Sequence, residues 1–178
     1  MRFYSLILVL SCLLASFALA QRHAELTQAE VDQLRDTAME PDQRLKLFVK
    51  FARERLDLLQ QVRTDPKIAA ADRPAETHKR LQDFVDLYDE QDDNIDTYMD
   101  RKDDIRKALK SIIEADTEFQ GKLKAFREGL TASKEDTKSY EFLLSNAIDA
   151  VTSGATDHRK LLDEQEEMAK HRKKRKTD

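Results

Sequence analysis

Residues 74–128 read PAETHKRLQDFVDLYDEQDDNIDTYMDRKDDIRKALKSIIEADTEFQGKLKAFRE, and the spacing of their apolar residues indicates the fold class. After its first residue it contains no proline and only one glycine, Gly121. Its spacing predicts one long amphipathic helix, or two nearly collinear helices, with a narrow apolar seam that packs on neighbouring helices. The apolar residues recur in steps of three and four, at Leu81, Phe84, Tyr88, Ile95, Tyr98, Ile105, Leu109, Ile112, Phe119, Leu123, Phe126 and Leu130.

Three polar residues, Gln91, Lys102 and Asp116, interrupt this seam without changing its register. Polar residues in a helical seam can fix the register of the helices or the number of partners. Alternatively, they lie where the bundle is only two helices wide and remain in contact with water. The sequence leaves both interpretations open.

The composition of the whole chain favours helices. The 178 residues suit one domain, and 3 glycines, 3 prolines and 37% charged residues leave few of the turns that sheets require. An apolar fraction of 40% is too high for a disordered protein. We therefore expect an all-α fold, an elongated antiparallel helical bundle built on one coiled-coil-like helix. The predicted helices span residues 28–39, 41–63, 74–128 and 134–170.

Capping residues and prolines set the predicted helix boundaries. Thr27 and Glu30 have the spacing of a capping box, and Pro41 suits the first turn of the next helix. Gly129 is a natural stop for the long helix. The basic helix 41–63 should lie against the acidic first half of the long helix, and the last helix should return along its second half.

The N-terminus predicts export. Met1 and Arg2 precede an apolar run, and Ala18-Leu19-Ala20 is a small-x-small cleavage site. Residues 1–20 are thus interpreted as a signal peptide cleaved near Ala20, which sends the chain to the periplasm or outside the cell. Lipid attachment at Cys12 and an uncleaved anchor are the less favoured alternatives. The mature chain would comprise a bundle domain, residues 21–170, and a basic C-terminal tail, residues 171–178, without cysteine, since Cys12 is the only one.

An acidic row follows the first half of the long helix. Carboxylates at steps of three and four share one helix face and can attract hard cations or a basic partner. A calcium site, however, wraps six to eight oxygens from a folded loop, which a straight helix face cannot do. The favoured interpretation is a solvated face partly neutralised by the basic helix. The weak cation candidates are Asp89, Asp93, Asp96, Asp100 and Asp104.

The basic tail is a candidate for binding anionic surfaces. Each base adds about 1 kcal/mol of attraction near an anionic membrane. The alternative is a frayed helix end whose charges suit the helix dipole and aid solubility. Predicted export disfavours nucleic acid as a partner. The candidate residues are Arg172, Lys173, Lys174, Arg175 and Lys176.

Motifs for chemistry are missing from the sequence. The chain has no Gly-x-Ser-x-Gly, no phosphate-binding glycine loop and no dinucleotide fingerprint. His23, His78, His158 and His171 do not form a metal-ligand pair on one helical turn. We therefore expect no catalytic, cofactor or metal site. His158 falls within the apolar series of the last helix, which makes it a candidate for a pH-sensitive core position.

These patterns favour an exported, non-catalytic helical scaffold or interaction protein of the cell envelope. Such a protein would act through a protein partner or through self-association along helical seams, with no transmembrane span in the mature chain. The alternative is an envelope stress-type chaperone, or a weak cation-binding protein that uses the acidic helix face. An enzyme whose residues converge only in the fold is the third hypothesis.

Overall fold

The structure, a computed structural model, describes residues 25–133 and 137–177, with side chains except at residue 133 and residues 172–177. The predicted signal peptide, its cleavage site, Cys12 and His23 lie outside the described residues. The described part forms five helices and no strand, which confirms the all-α prediction. The helices are α1 (Gln28–Asp36), α2 (Pro41–Val62), α3 (Arg73–Asp100), α4 (Arg106–Ser133) and α5 (Glu141–Thr177).

The predicted capping box at the start of α1 is confirmed. The Thr27 hydroxyl accepts a hydrogen bond from the Glu30 backbone N–H at 3.3 Å, and the Glu30 carboxylate accepts one from the Thr27 N–H at 2.7 Å. Pro41 occupies the first turn of α2, as predicted. The predicted stop at Gly129 is wrong, because α4 continues through it to Ser133. A glycine stop needs a positive φ, which no glycine of the described residues adopts.

The seam residues of the central stretch are all buried, from Leu81 to Leu130, as the apolar spacing predicts. The prediction of one long helix, or two collinear ones, over residues 74–128 is wrong. The Tyr88 hydroxyl donates a hydrogen bond to Asp116 Oδ1 at 2.8 Å. Along continuous helix these residues would lie about 42 Å apart. The chain therefore reverses between them, and α3 and α4 run antiparallel.

The reversal begins with a Schellman motif at the end of α3, formed by residues 98–103. The Asp103 N–H bonds to the Tyr98 carbonyl and the Lys102 N–H to the Met99 carbonyl, both at 3.0 Å. Lys102 takes the left-handed position of this motif, with φ of 62°. Glycine usually occupies that position, and a lysine there gives no sequence signal of a turn. For this reason the apolar spacing predicts continuous helix across the turn between α3 and α4.

Side chains from other helices hold this turn in place. Gln165 of α5 accepts a hydrogen bond from the Ile105 N–H at 3.0 Å and donates one to the Asp103 carbonyl at 2.7 Å. Asp42, in the first turn of α2, accepts a bond from the Ala108 N–H at 3.0 Å. Asp42 thereby satisfies a free donor in the first turn of α4. The turn is thus anchored to both α2 and α5.

Helices α2 to α5 form a four-helix bundle. Going round it, the neighbours are α2–α3, α3–α5, α5–α4 and α4–α2, so α3 and α4 lie diagonally opposite each other. The predicted packing of the basic helix on the acidic segment, and of the last helix on residues 106–133, is confirmed. Large side chains fill the centre, where the rings of Phe84 and Phe119 pack edge to face with their centroids 5.6 Å apart. With 37 residues, α5 is about 55 Å long, so the bundle is elongated.

Helix directions alternate between antiparallel and parallel pairs. Asp57 of α2 contacts Lys122 of α4, and Asp42 contacts Ala108, so α2 and α4 are parallel. Contacts of α3 with α5 also keep a constant sequence offset, which makes these two helices parallel. The C-terminal ends of α3 and α5 therefore lie at the same end of the bundle.

Helix α1 is attached to the outer side of the α2–α3 pair. Leu34 packs with Phe48, Phe51 and Leu87 in a cluster separate from the main core. A buried ion pair joins Glu30 and Arg55 at 2.8 Å. Burial by itself would raise the pKa of Glu30, but the hydrogen bonds from Arg55 and Thr27 lower it below its usual value. The short α1 is thereby fixed to the bundle.

Replacing Lys102 by glycine is predicted to raise the free energy of unfolding by about 0.5–1 kcal/mol, since glycine adopts the left-handed conformation without steric cost. Lys102→Val should lower it by at least as much, because a β-branched residue resists positive φ. Urea unfolding followed by circular dichroism measures both variants. Equal stabilities for the two variants would contradict the described turn.

Candidate functional site

The three polar residues of the seam have different positions. Lys102 is exposed in the turn, whereas Gln91 and Asp116 are 1% and 0% exposed. The interpretation of a wet, two-helix seam is therefore wrong for Gln91 and Asp116. The two amide atoms of Gln91 make no hydrogen bond within the described residues. In contrast, both carboxylate oxygens of Asp116 form hydrogen bonds.

Asp116 is the centre of a buried polar cluster. One of its oxygens accepts the Tyr88 hydroxyl at 2.8 Å, and the other lies 2.9 Å from Nδ1 of His158. Nε2 of the same histidine lies 3.0 Å from Asp92 Oδ1. We call Tyr88, Asp92, Asp116 and His158 the His158 cluster. The cluster joins three helices, since Tyr88 and Asp92 belong to α3, Asp116 to α4 and His158 to α5.

A glycine on α5 makes room for this cluster. Gly154 lies one turn before His158, and a Cβ at Gly154 would overlap the Tyr88 hydroxyl. Glycine within a helix costs about 1 kcal/mol relative to alanine. The close approach of Tyr88 explains why this position accepts that cost.

The carboxylates control the charge of His158. Burial by itself would lower the pKa of His158, but the hydrogen bonds and charges of Asp116 and Asp92 raise it from 6.5 to about 9. At neutral pH the ring is therefore a cation that donates one N–H to each carboxylate. Burial and the neighbouring Asp116 also raise the pKa of Tyr88, so its hydroxyl stays protonated.

This arrangement has a clear chemical consequence. An imidazolium has no free nitrogen to accept a proton, so His158 cannot serve as a general base while it is charged. Each ring nitrogen already donates its N–H to a carboxylate, and both hydrogen bonds join α5 to another helix. The geometry therefore suits a salt bridge within the core rather than proton transfer to a bound molecule.

An open groove lies beside the cluster, between α3 and α5. Its volume is about 300 Å³. Asp92 and His158 form part of its wall, so one arm of the cluster reaches the solvent. The Asp92 side chain is 41% exposed. Within the described residues no group of three or more histidine, aspartate or glutamate side chains is placed to hold a metal ion.

The acidic row is only partly as predicted. All five candidates, Asp89, Asp93, Asp96, Asp100 and Asp104, are exposed, which agrees with a solvated face. They do not share one helix face, because α3 ends at Asp100 and Asp104 lies in the following turn, paired with Arg106 at 2.6 Å.

No ion pair joins the basic helix to the acidic row within the described residues. Arg53 of α2 pairs with Glu118 of α4 at 2.9 Å, and Arg55 pairs with Glu30 of α1 at 2.8 Å. These two basic side chains therefore bind other helices, and the partial neutralisation of the acidic row stays a prediction. The four carboxylates on α3 remain free to attract a cationic partner.

The basic segment belongs to the last helix. The backbone of α5 is helical through Thr177, so the predicted helix end at residue 170 is too early. The anionic-surface candidates Arg172, Lys173, Lys174, Arg175 and Lys176 occupy its final turns, although their side chains lie outside the described residues.

Sequence reasoning identified two members of the cluster and missed two. Asp116 stood out as a gap in the apolar series and His158 as a histidine among apolar positions. Asp92 was hidden among the other acidic residues, and Tyr88 was assigned to the apolar seam. The glycine one turn before His158 was the available signal, because it indicates a close neighbour.

Comparison with known proteins found no matching family model, no similar curated protein and no similar solved structure. The function is therefore inferred from the residues of this chain. Among the described helices, none combines the length and apolar content that crossing a membrane requires.

Gly154→Ala is predicted to lower the free energy of unfolding by about 1–3 kcal/mol, because the added methyl group displaces Tyr88 from Asp116. Gly121→Ala is the matched control. It is exposed in α4 with open space around it, so alanine should stabilise the helix by about 0.5–1 kcal/mol. Thermal and urea unfolding measure both. Stabilisation of both variants would contradict the close contact.

The stability of the protein is predicted to fall as the pH rises from 6.5 to 9. The folded state holds the His158 proton more tightly than the unfolded state, so the stabilisation is complete below the unfolded pKa and is lost as the pH passes the folded pKa. The loss should be on the order of 3 kcal/mol. Unfolding by urea at a series of pH values measures it.

His158→Gln should remove this pH dependence, whereas His78→Gln and His171→Gln should keep it, since both histidines are exposed. A pH dependence that survives in His158→Gln would assign the titration to another group.

Proposed function

We propose that this protein is a non-catalytic helical scaffold or interaction protein of the cell envelope. The observation that supports the proposal is that four ionisable side chains buried at helix interfaces, Glu30, Arg55, Asp116 and His158, form ion pairs between helices. His158 binds Asp116 and Asp92, and Arg55 binds Glu30. A catalytic group must be able to exchange a proton with a substrate or contact it. These groups are instead engaged in joining helices, which leaves the surface as the functional part.

The surface carries two charged features suited to binding. Asp89, Asp93, Asp96 and Asp100 are exposed on α3, and none of them forms an ion pair within the described residues. The basic residues of the C-terminal turns follow at the same end of the bundle, because α3 and α5 are parallel. Opposite charges at one end favour a partner, or a second copy, that is itself charged.

Export is part of the proposal and rests on the pattern of residues 1–20. Cleavage after Ala20 would release a chain that begins at Gln21, in the periplasm or outside the cell. Lipid attachment at Cys12 would leave residues 12–20 on the protein instead. The mass of the N-terminal peptide of the exported protein distinguishes the two.

Light scattering coupled to size exclusion tests the interaction function. We expect a mass above that of one chain at low salt, or a cross-linked envelope partner, since charged surfaces attract most strongly there. High salt should reduce the assembly toward the monomer. A matched variant replaces Asp93, Asp96 and Asp100 by asparagine, which keeps the size of each side chain and removes its charge. A strict monomer without an envelope partner at either salt concentration would contradict the proposal.

The exposed carboxylates of α3 also favour a second candidate, a stress-type protein that weakly binds cations or holds unfolded clients. Calorimetry with calcium, compared between the natural chain and the same triple asparagine variant, tests the cation form. Heat that disappears in the variant would support it, and no heat in either would exclude it.

An aggregation assay with an unfolded client tests the chaperone form, which a lack of protection would exclude.

A further inference from the structure

The seam between α3 and α5 differs from the other three seams of the bundle. These two helices approach each other less extensively than any other neighbouring pair. The groove of about 300 Å³ lies on this same seam. Helix α5 has a second, more extensive interface with α4, on the other side. The α3–α5 seam is therefore the one at which the least packing between helices opposes separation.

One ion pair crosses this seam within the described residues, the one between His158 and Asp92. Tyr88 and Gly154 meet at the same level, and Gln165 reaches Met99 and the Asp103 carbonyl about two turns further along. Because His158 also binds the buried Asp116, it connects α5 to both of its neighbours at one point.

The ionisable side chains that line the groove, other than His158, are all acidic. From α3, Asp92 and Asp96 face the groove, and from α5, Asp157 does. Asp116 is presented by α4, while the Tyr88 hydroxyl is neutral. When the His158 ring is charged, its positive charge offsets the carboxylates on both sides of the seam. With the ring neutral, these carboxylates repel one another and Asp116 is left buried without a cation.

We propose that His158 is a charge-dependent latch on the α3–α5 seam. While the ring is protonated, α5 is held against α3 and the groove stays narrow. When the ring loses its proton, α5 moves away from α3 while it remains packed on α4. The apolar walls of the groove, which include Ile95 and Leu161, then become more exposed than they are in the closed state.

A distance measurement between spin labels tests the latch. The full chain with Cys12→Ser receives cysteines at Thr97 and Asp163, which are exposed at the same level of α3 and α5. A reference chain carries them at Lys46 and Asp93, across the α2–α3 pair. Below pH 6.5 both chains should give one short distance. Above pH 9 a longer distance should appear across α3–α5 only.

Substitutions identify the group responsible. His158→Gln should show the longer distance at both pH values, and the exposed control His171→Gln should behave as the natural chain. An unchanged α3–α5 distance above pH 9 would overturn the proposal. So would a change in both label pairs, because that would report loss of the whole fold. A His158→Gln chain that matches the natural one would overturn it as well.

A milder variant covers the case in which His158→Gln does not fold. Asp92→Asn removes the half-exposed arm of the latch and leaves the buried Asp116 in place. It withdraws one of the two charges that stabilise the protonated ring, so the pH midpoint of the distance change should shift downward. An unchanged midpoint would overturn the assignment of the latch to the Asp92–His158 contact.

Discussion

The contact between Asp116 and His158 fixes the position of α5 relative to the other helices of the bundle. An aspartate with 0% exposure in an apolar core is strongly unfavourable unless a cation and hydrogen bonds compensate it. The compensation comes from two other helices, Tyr88 on α3 and His158 on α5. A shift of α5 by one residue would replace the histidine by Asp157 or Arg159. The cluster therefore selects one register among the many that apolar side chains alone would accept.

The turn that joins α3 to α4 depends on the same register of α5. Gln165 lies seven residues, or two turns, after His158 and thus on the same face of α5. It bonds to Asp103 and Ile105, the backbone groups that the reversal leaves unpaired. Placing His158 against Asp116 therefore places Gln165 against the turn. One helix fixes both the core and the end of the bundle.

The apolar period predicted the fold class and the buried residues but not the path of the chain. Every seam residue from Leu81 to Leu130 is buried, because a period near 3.6 defines one apolar face wherever the helix goes. The reversal was missed because Lys102 occupies a position where glycine usually marks a turn. The period then continues across the break as though the helix were unbroken.

The candidate site could be predicted only in part, for a related reason. Asp116 and His158 are recognisable one at a time, since each is a polar residue in an apolar series. Their pairing, 42 residues apart, depends on the reversal and on the antiparallel packing of α4 and α5. The role of Asp92 also depends on that packing, because nothing local distinguishes it from Asp93 or Asp96. Long-range pairing of this kind leaves no local trace in one sequence.

The protonation state of the His158 ring at neutral pH can be measured directly. Nitrogen-15 NMR of the imidazole distinguishes a ring with two N–H groups from either neutral tautomer. We expect both Nδ1 and Nε2 to carry a proton at pH 7 and both protons to exchange slowly with water. The ring should lose one of these protons only near pH 9. A neutral His158 ring at pH 7, with one unprotonated nitrogen, would contradict this expectation.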